Sequence, residues 1–168
     1  ITDHGATIMS MDYTKFLDEE LYRLLLNAIE AQTNNTKYAA DAPKVIEEVT
    51  KEMKRRNALI KEGEAKATRP TIGLLRTLGY KVGKEGKKKE VRRAVLDYIY
   101  NAEILPIVFS LSYMEEWGTQ KSKKRYDMIM SQINFFIYKN EGLTKYKDLT
   151  EAIHDWENDR AWFKEKYG

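Results

Sequence analysis

The chain has 168 residues, 33% of them charged, so it is long enough for one hydrophobic core and short for two domains. It has no apolar run long enough to span a bilayer, and it has no cysteine, which excludes disulfides, thiolate zinc sites and cysteine nucleophiles. The net charge of +3 is too small to identify a nucleic-acid-binding protein, so the distribution of charge has to decide that question.

The N-terminal segment ITDHGATIMS lacks both the basic and the apolar regions of a signal peptide. We therefore interpret residues 1–10 as a tag or upstream extension, and residues 11–168 as a single helical domain of a soluble, cytoplasmic protein. From Tyr13 to Gln32, apolar residues recur at intervals of three and four, which predicts an amphipathic helix with Asp12 as its cap.

A second helix is predicted to start at Asp41 and Pro43. A carboxylate at the cap accepts hydrogen bonds from the first amides, and proline is tolerated in the first turn. The helix is predicted to run to about Glu62. The polar segment EGEAKATRP that follows predicts a flexible linker near residues 63–70.

The next helix is short, with Thr71 as its predicted cap and Gly79 as the residue that closes it. A fourth helix is then predicted from about Lys87 to Glu103. Its lysines lie at its N-terminus, where each cation opposes the helix dipole by roughly 0.3–1 kcal/mol. A locally unfavourable arrangement of this kind is expected where an anion binds. The predicted apolar face of this helix consists of Val91, Val95, Leu96 and Ile99.

The segment Ile104 to Phe109 is the one possible short strand, because it is apolar and interrupted by proline. Ser112 and Glu115 follow at the spacing of a capping box. They predict a short helix that ends at Gly118.

The remaining chain predicts two long helices. Ser122 is the expected cap of the first and Gly142 its end, and the second runs from near Lys147 to Tyr167. Because every long periodic segment repeats near 3.6 residues, the predicted fold is all-α. We expect a single compact domain of about six or seven helices with at most one short strand.

Evidence for catalysis is weak. His154 and Glu157 share a predicted helix face, and Asp155 and Asp159 form a second acidic pair on that helix. A metal would need further ligands from elsewhere, so a metal-dependent enzyme around His154 and Glu157 is retained only as a second alternative. The chain has neither a G-x-S-x-G nucleophile motif nor a G-x-x-x-x-G-K-[ST] phosphate loop. We therefore predict a protein without catalytic activity, cofactor or metal.

Two basic clusters lie at the starts of predicted helices. Residues 79–93 contain seven basic and two acidic side chains, and the segment TQKSKKRY holds the second cluster. Two helix N-termini that face one way would form a phosphate-binding surface, whereas two that face apart would only add solubilising charge. The sequence leaves this choice open. We predict a non-enzymatic module that contacts the nucleic-acid phosphate backbone, or a nucleoprotein partner, through Lys84, Lys87, Lys88, Lys89, Arg92, Arg93, Lys121, Lys123, Lys124 and Arg125.

The first basic cluster also resembles a known motif. The pattern L-x-x-L-G-Y, a glycine–lysine turn and E-V-R-R-A-V-L are similar to the helix–extended loop–helix of SAP and HeH domains. This resemblance implies binding of a DNA or RNA backbone by loop amides and lysines. Lys88 and Lys89 depart from the family pattern, which has a small residue and alanine before the glutamate of the second helix. The matching residues are Leu75, Leu78, Gly79, Gly86, Lys87, Glu90, Val91 and Leu96.

The second half of the chain resembles a bacterial family of uncharacterised small proteins. The shared arrangement is R-R-x-x-L, then Y-x-x-E-W-G, then S-x-x-R, and it implies no activity. Within it we predict that Trp117 packs in the core with its N–H bonded to a carbonyl, and that Arg125 is equally able to pair with Glu115 or Glu116. The remaining alternative is a protein-interaction or inhibitor module of a mobile element or defence system, acting through an apolar helix face.

Overall fold

A computed structural model describes residues 11–63, 65, 72–103, 105 and 110–168 of the protein. Within those ranges the chain forms seven α-helices and no strand, which confirms the predicted all-α fold. Residues 1–10, the predicted cap Thr71 and most of the predicted linker and strand lie outside the described residues. The helices are α1 Asp18–Thr33, α2 Ala42–Lys61, α3 Leu74–Thr77, α4 Lys89–Asn101, α5 Leu111–Glu116, α6 Lys123–Glu141 and α7 Thr150–Tyr167.

The first helix begins later than the sequence predicts. Asp12 does act as a cap, but its carboxylate accepts the amide of Thr14 at 3.1 Å and so starts a single 3-10 turn, Tyr13–Lys15. Phe16 and Leu17 then adopt extended backbone angles, and α1 starts only after them. The Glu20 carboxylate accepts the amide of Leu17 at 3.1 Å, which satisfies a donor at the new helix start.

Of three other predicted helix ends, two are as predicted and one is not. Ser122 caps α6 by accepting the amide of Arg125 at 3.1 Å, as predicted. Gly79 ends the α3 region with a φ of +88°, a conformation that favours glycine. The predicted capping role of Ser112 is wrong, because α5 already begins at Leu111 after Ser110.

Two helical hairpins pack around α4, which contacts α1, α6 and α7. Helices α1 and α2 form one hairpin, and α6 and α7 form the other. The rings of Tyr126 and Phe163 lie 5.4 Å apart and those of Phe136 and Trp156 5.6 Å apart, so α6 and α7 run antiparallel. The predicted apolar face of α4 is fully buried in this core, at Val91, Val95, Leu96 and Ile99. No helix in the described part of the chain is sufficiently long and apolar to cross a membrane.

Candidate nucleic-acid interface

The segment that links α3 to α4, residues 80–88, together with Lys89 at the start of α4, is hereafter the basic loop. It closes on itself, because the amide of Lys87 donates to the carbonyl of Lys81 at 2.9 Å and that of Gly86 to the carbonyl of Gly83 at 3.0 Å. Gly83 has a φ of +83°. A Cβ on Gly86 would lie 2.5 Å from the carbonyl of Val82, so this tight turn requires glycine.

Helix α7 fixes the backbone of the basic loop from the outside. The amide of Gly83 donates to the Asp155 carboxylate at 2.9 Å, and the Tyr80 hydroxyl donates to the Asp159 carboxylate at 2.9 Å. A Cβ on Gly83 would touch the Ala152 side chain at 3.4 Å, which shows how closely loop and helix approach. The loop is therefore held by a long helix rather than solvated on all sides.

Arg92 binds the same carboxylates from the first turn of α4. Its Nε and Nη2 donate to Asp159 at 2.7 and 3.3 Å, its Nη2 lies 3.5 Å from Asp155, and its Nη1 donates to the carbonyl of Lys87 at 2.8 Å. Arg93 donates to Asp159 at 3.3 Å, and its guanidinium lies 5.2 Å from the centre of the Trp162 ring. Both arginines thus serve to tie α4 and the loop to α7.

Burial and charge set the protonation of this cluster. Burial raises the pKa of the Tyr80 hydroxyl, and the negative charge of Asp159 raises it further, so Tyr80 remains a donor. Burial by itself would lower the pKa of Arg92, but the hydrogen bond and charge of Asp159 outweigh it and raise that pKa. The positive charges of Arg92 and Arg93 are therefore matched by the carboxylates of Asp155 and Asp159 within the protein.

Arg92 therefore has to be removed from the predicted nucleic-acid contacts. Its residue surface is only 4% exposed, because its donors are directed at Asp159, Asp155 and the Lys87 carbonyl. Arg93 is half-buried and also directed at Asp159. A phosphate would have to break these bonds to reach the Arg92 guanidinium, whereas Arg93 is paired with Asp159 through its Nε alone.

The lysines of the basic loop remain outside. Lys84, Lys88 and Lys89 are exposed, and Lys84 makes one long contact of 3.9 Å with Asp148. Lys87 is partly engaged, since its Nζ lies 2.6 Å from the Glu30 carboxylate. Lys81 is also exposed. It is absent from the predicted contacts, although its position in the same basic segment of the sequence would have been enough to include it.

The second basic cluster has its own inward arginine, and Arg125 must also be removed from the predicted contacts. It is 2% exposed and donates to the carbonyls of Ile99 at 3.2 Å and Gly118 at 2.8 Å, and to that of Ala102. These carbonyls take the place of the predicted partners Glu115 and Glu116. Burial lowers the pKa of Arg125.

Of the remaining cations in the second cluster, Lys121, Lys123 and Lys124 are exposed. Lys123 pairs with Asp127 of the same helix at 2.7 Å. Lys121 has a φ of +55°, in the turn that leads into α6. These side chains are directed to solvent and remain able to meet an anion.

The two clusters lie at opposite ends of α4. The basic loop leads into its first turn, whereas the amide of Lys121 donates to the carbonyl of Tyr100 in its last turn, at 3.0 Å. The 13 residues of α4 rise by about 20 Å. The clusters therefore do not converge on one phosphate, which answers the question that the sequence left open.

Trp117 is fully buried, as the prediction of a core role requires. Its indole Nε1, however, finds no hydrogen-bond acceptor among the residues that the structure describes, so the predicted carbonyl bond is wrong. The neighbouring Tyr113 does make a hydrogen bond. Its hydroxyl accepts the amide of Leu74 at 3.0 Å and so joins α5 to α3. The Y-x-x-E-W-G segment thus has a packing role.

The side chains considered for a metal do not assemble. His154 and Glu157 are exposed on α7, and Asp155 and Asp159 face the arginines and amide described above. Across the described ranges, no group of three or more histidines, aspartates or glutamates is placed to hold a metal ion. The acidic pair Asp155 and Asp159 is instead the internal partner of the first basic cluster.

Comparison with known proteins adds no assignment. No protein-family model, curated protein or solved structure matches the chain. The resemblances to SAP and HeH domains and to the bacterial small-protein family remain predictions, and function has to be inferred from the geometry alone.

Proposed function

We propose that this is a non-enzymatic, cytoplasmic protein that binds the phosphate backbone of nucleic acid through the basic loop. The contacts are assigned to Lys84, Lys88 and Lys89, with Lys81 beside them. One observation supports this assignment most strongly. The loop is fixed by Asp155, Asp159 and Arg92, while the side chains of Lys84, Lys88 and Lys89 are exposed to solvent.

A fixed loop favours binding because less conformational entropy is lost when the ligand arrives. The start of α4 adds to the attraction. Lysine has no acceptor atom, so Lys88 at the cap position cannot satisfy the first amides of α4 with its side chain. Those amides and the positive end of the helix dipole favour an anion. Such contacts position a backbone and do not distinguish bases, so binding is expected to be independent of sequence.

The test compares the two ends of α4 with matched changes in charge. One variant changes Lys84, Lys88 and Lys89 to glutamine, and the other changes Lys121, Lys123 and Lys124 to glutamine. Binding of a fluorescein-labelled 20-base-pair duplex is followed by fluorescence anisotropy over a range of salt. We expect the first variant to bind more weakly and to flatten the slope of log affinity against log salt by roughly 0.9 for each phosphate that is no longer neutralised. The second should change the slope much less.

Equal effects of the two variants would show that only the overall charge matters, and the assignment to the basic loop would then be wrong. An absence of binding by the unchanged protein at low salt and micromolar concentration would overturn the proposal altogether.

A second variant tests whether the shape of the loop matters. Gly86→Ala keeps every lysine but places a methyl group 2.5 Å from the Val82 carbonyl, so the turn has to deform. We expect weaker duplex binding than in Gly142→Ala, whose added methyl has its nearest neighbour at 4.0 Å. Unchanged affinity in Gly86→Ala would show that the loop needs no fixed conformation to bind.

A further inference from the structure

A second surface feature consists of exposed aromatic rings on the last turns of α6 and in the turn that follows it. In the described part of the chain nine large apolar side chains are exposed, and four of them fall within residues 135–146. Phe135 is 55% exposed, Tyr138 80% and Tyr146 76%. Most rings elsewhere in the protein pack against the core, so this concentration at one end of α6 requires another explanation.

Two of these rings are presented by the last turns of α6. Ile133 and Ile137 face the core, whereas Phe135 and Tyr138, three residues apart, share the outward face. Tyr146 lies in the turn after the helix, where its amide donates to the carbonyl of Leu143 at 2.9 Å. Two of the rings thus stand on a helix and the third on a hydrogen-bonded turn.

Ammonium groups accompany the rings. Lys139 Nζ lies 5.8 Å from the centre of the Phe135 ring, and Lys145 Nζ lies 5.6 Å from the centre of the Tyr146 ring. A ligand with both flat apolar groups and negative charges would satisfy rings and cations together.

The same end of the molecule holds the basic loop. Lys84 Nζ lies 3.9 Å from the Asp148 carboxylate, and Gly83 is hydrogen-bonded to Asp155 of α7. Tyr146 precedes Asp148 by two residues, so their Cα atoms are at most about 7 Å apart. Tyr146 therefore lies close in the chain to the carboxylate that Lys84 contacts, and this connection joins the basic loop to the ring of Tyr146.

We propose that Tyr146, together with Phe135 and Tyr138 on α6, offers ring faces on which the bases of a single-stranded nucleic acid stack while the basic loop holds its phosphates. This inference rests on the proposed function, because the lysines of the loop supply the phosphate contacts. A duplex has its bases stacked on each other and offers no free faces, so the rings distinguish a single strand from a duplex. Stacking on aromatic side chains is tolerant of sequence.

The experiment uses labelled oligo(dT) and oligo(U) of 20 nucleotides and a 20-base-pair duplex, with anisotropy at low salt. The test variant combines Tyr138→Ala and Tyr146→Ala. Tyr146→Phe retains the ring and serves as the conservative variant. Tyr38→Ala is the matched control, since Tyr38 is 54% exposed with Lys37 Nζ 5.0 Å from its ring centre, in the turn between α1 and α2.

We expect the double variant to bind the single strands on the order of 10-fold or more weakly and the duplex within about twofold of the unchanged protein. Tyr146→Phe and Tyr38→Ala should bind like the unchanged protein. Oligo(dT) and oligo(U) separate DNA from RNA as the strand that is bound. Equal melting temperatures of all variants show that the rings do not act through folding.

Unchanged single-strand affinity in the double variant would overturn the inference while leaving the backbone contact standing, and the rings would then be assigned to a protein partner. An equal loss for duplex and single strand would also overturn it, because stacking would not be the cause. If the unchanged protein binds none of the three probes, the proposed function fails and the inference fails with it.

Discussion

Each end of α4 carries a basic cluster that contains a buried arginine, and the two ends differ in the groups that bind this arginine. At the first end Arg92 is matched by the carboxylates of Asp159 and Asp155, and its pKa is raised. At the other end Arg125 is bound by the carbonyls of Ile99, Ala102 and Gly118, and burial lowers its pKa. Both clusters direct their arginine inward and most of their lysines outward.

In both clusters arginine and lysine side chains occupy different environments, for a physical reason. A guanidinium offers five donors in a fixed fork, so it can hold several backbone or carboxylate acceptors within the protein. A lysine is a strongly hydrated point charge on a flexible stem, and it stays in solvent unless a carboxylate is close. A count of basic residues in a segment therefore overestimates the charge that a ligand meets.

The largest expected effect is at the carboxylate end. Asp159→Asn removes the charge that Arg92 and Arg93 share and leaves a buried guanidinium less compensated, so the free energy of unfolding should fall by about 3–5 kcal/mol. Urea unfolding followed by circular dichroism measures this. Glu157→Gln, an exposed change on the same helix, should stay within about 0.5 kcal/mol. A loss in Asp159→Asn no larger than in this control would show that the cluster is not a stabilising centre.

The carbonyl end should be less sensitive. Arg125→Met leaves the carbonyls of Ile99, Ala102 and Gly118 without their donor, which destabilises, but it also removes a buried cation that has no matching charge among those contacts. The two effects partly cancel, and we expect the free energy of unfolding to fall by about 2 kcal/mol. Lys124→Met, an exposed neighbour, is the control. A loss that exceeds the one in Asp159→Asn would reverse the ranking of the two ends.

Local signals predicted much of the fold. The cap at Ser122, the glycine at position 79 and the buried face of α4 depend on residues within a few positions of each other, so the sequence contains the information directly. The predicted capping role of Ser112 is wrong because α5 already begins at Leu111, and Ser110 holds the cap position without a side-chain capping hydrogen bond. Such errors of a few residues do not change the architecture.

The candidate site was much less predictable, because its contacts join distant parts of the chain. Arg92 and Asp159 are 67 residues apart, and Tyr80 and Asp159 are 79 apart. The spacing of Asp155 and Asp159 indicates a shared helix face but not what that face meets. The contact between Lys84 and Asp148, which connects the basic loop to the turn that carries Tyr146, has the same origin.

A third arginine cluster is also held by a carboxylate, and the pH dependence of stability tests how much that carboxylate contributes. Glu52 is buried and accepts hydrogen bonds from Arg55 at 2.7 and 2.8 Å and from Arg56 at 2.8 Å. The bond from Arg55 lowers the pKa of Glu52 from its usual 4.5, against the effect of burial, and Arg56 adds to this. A carboxylate with a lowered pKa stabilises the fold above its unfolded pKa and loses that contribution as pH falls.

Glu52→Gln should therefore cost about 1.5 kcal/mol of unfolding free energy at pH 7. The difference from the unchanged protein should shrink as the pH falls below about 4.5. Urea unfolding at several pH values measures both. A difference that stays constant down to about pH 3 would show that packing, rather than the charge of Glu52, sets its contribution.

The smallest expected effects come from the lysines themselves. Lys88→Gln and Lys89→Gln each remove a cation from the positive end of the α4 dipole and should raise the free energy of unfolding by about 0.3–1 kcal/mol at low salt. Lys124→Gln should do the same at the start of α6.

Lys87→Gln should instead leave the free energy of unfolding unchanged or lower it by up to about 1 kcal/mol, because the ion pair with Glu30, 2.6 Å long, can no longer form. Thermal unfolding at low and high salt measures these changes, and salt should erase them by screening. A gain in Lys87→Gln as large as in Lys88→Gln would mean that the pair with Glu30 does not form in solution, and Lys87 would then rejoin the cations that are free to meet a phosphate.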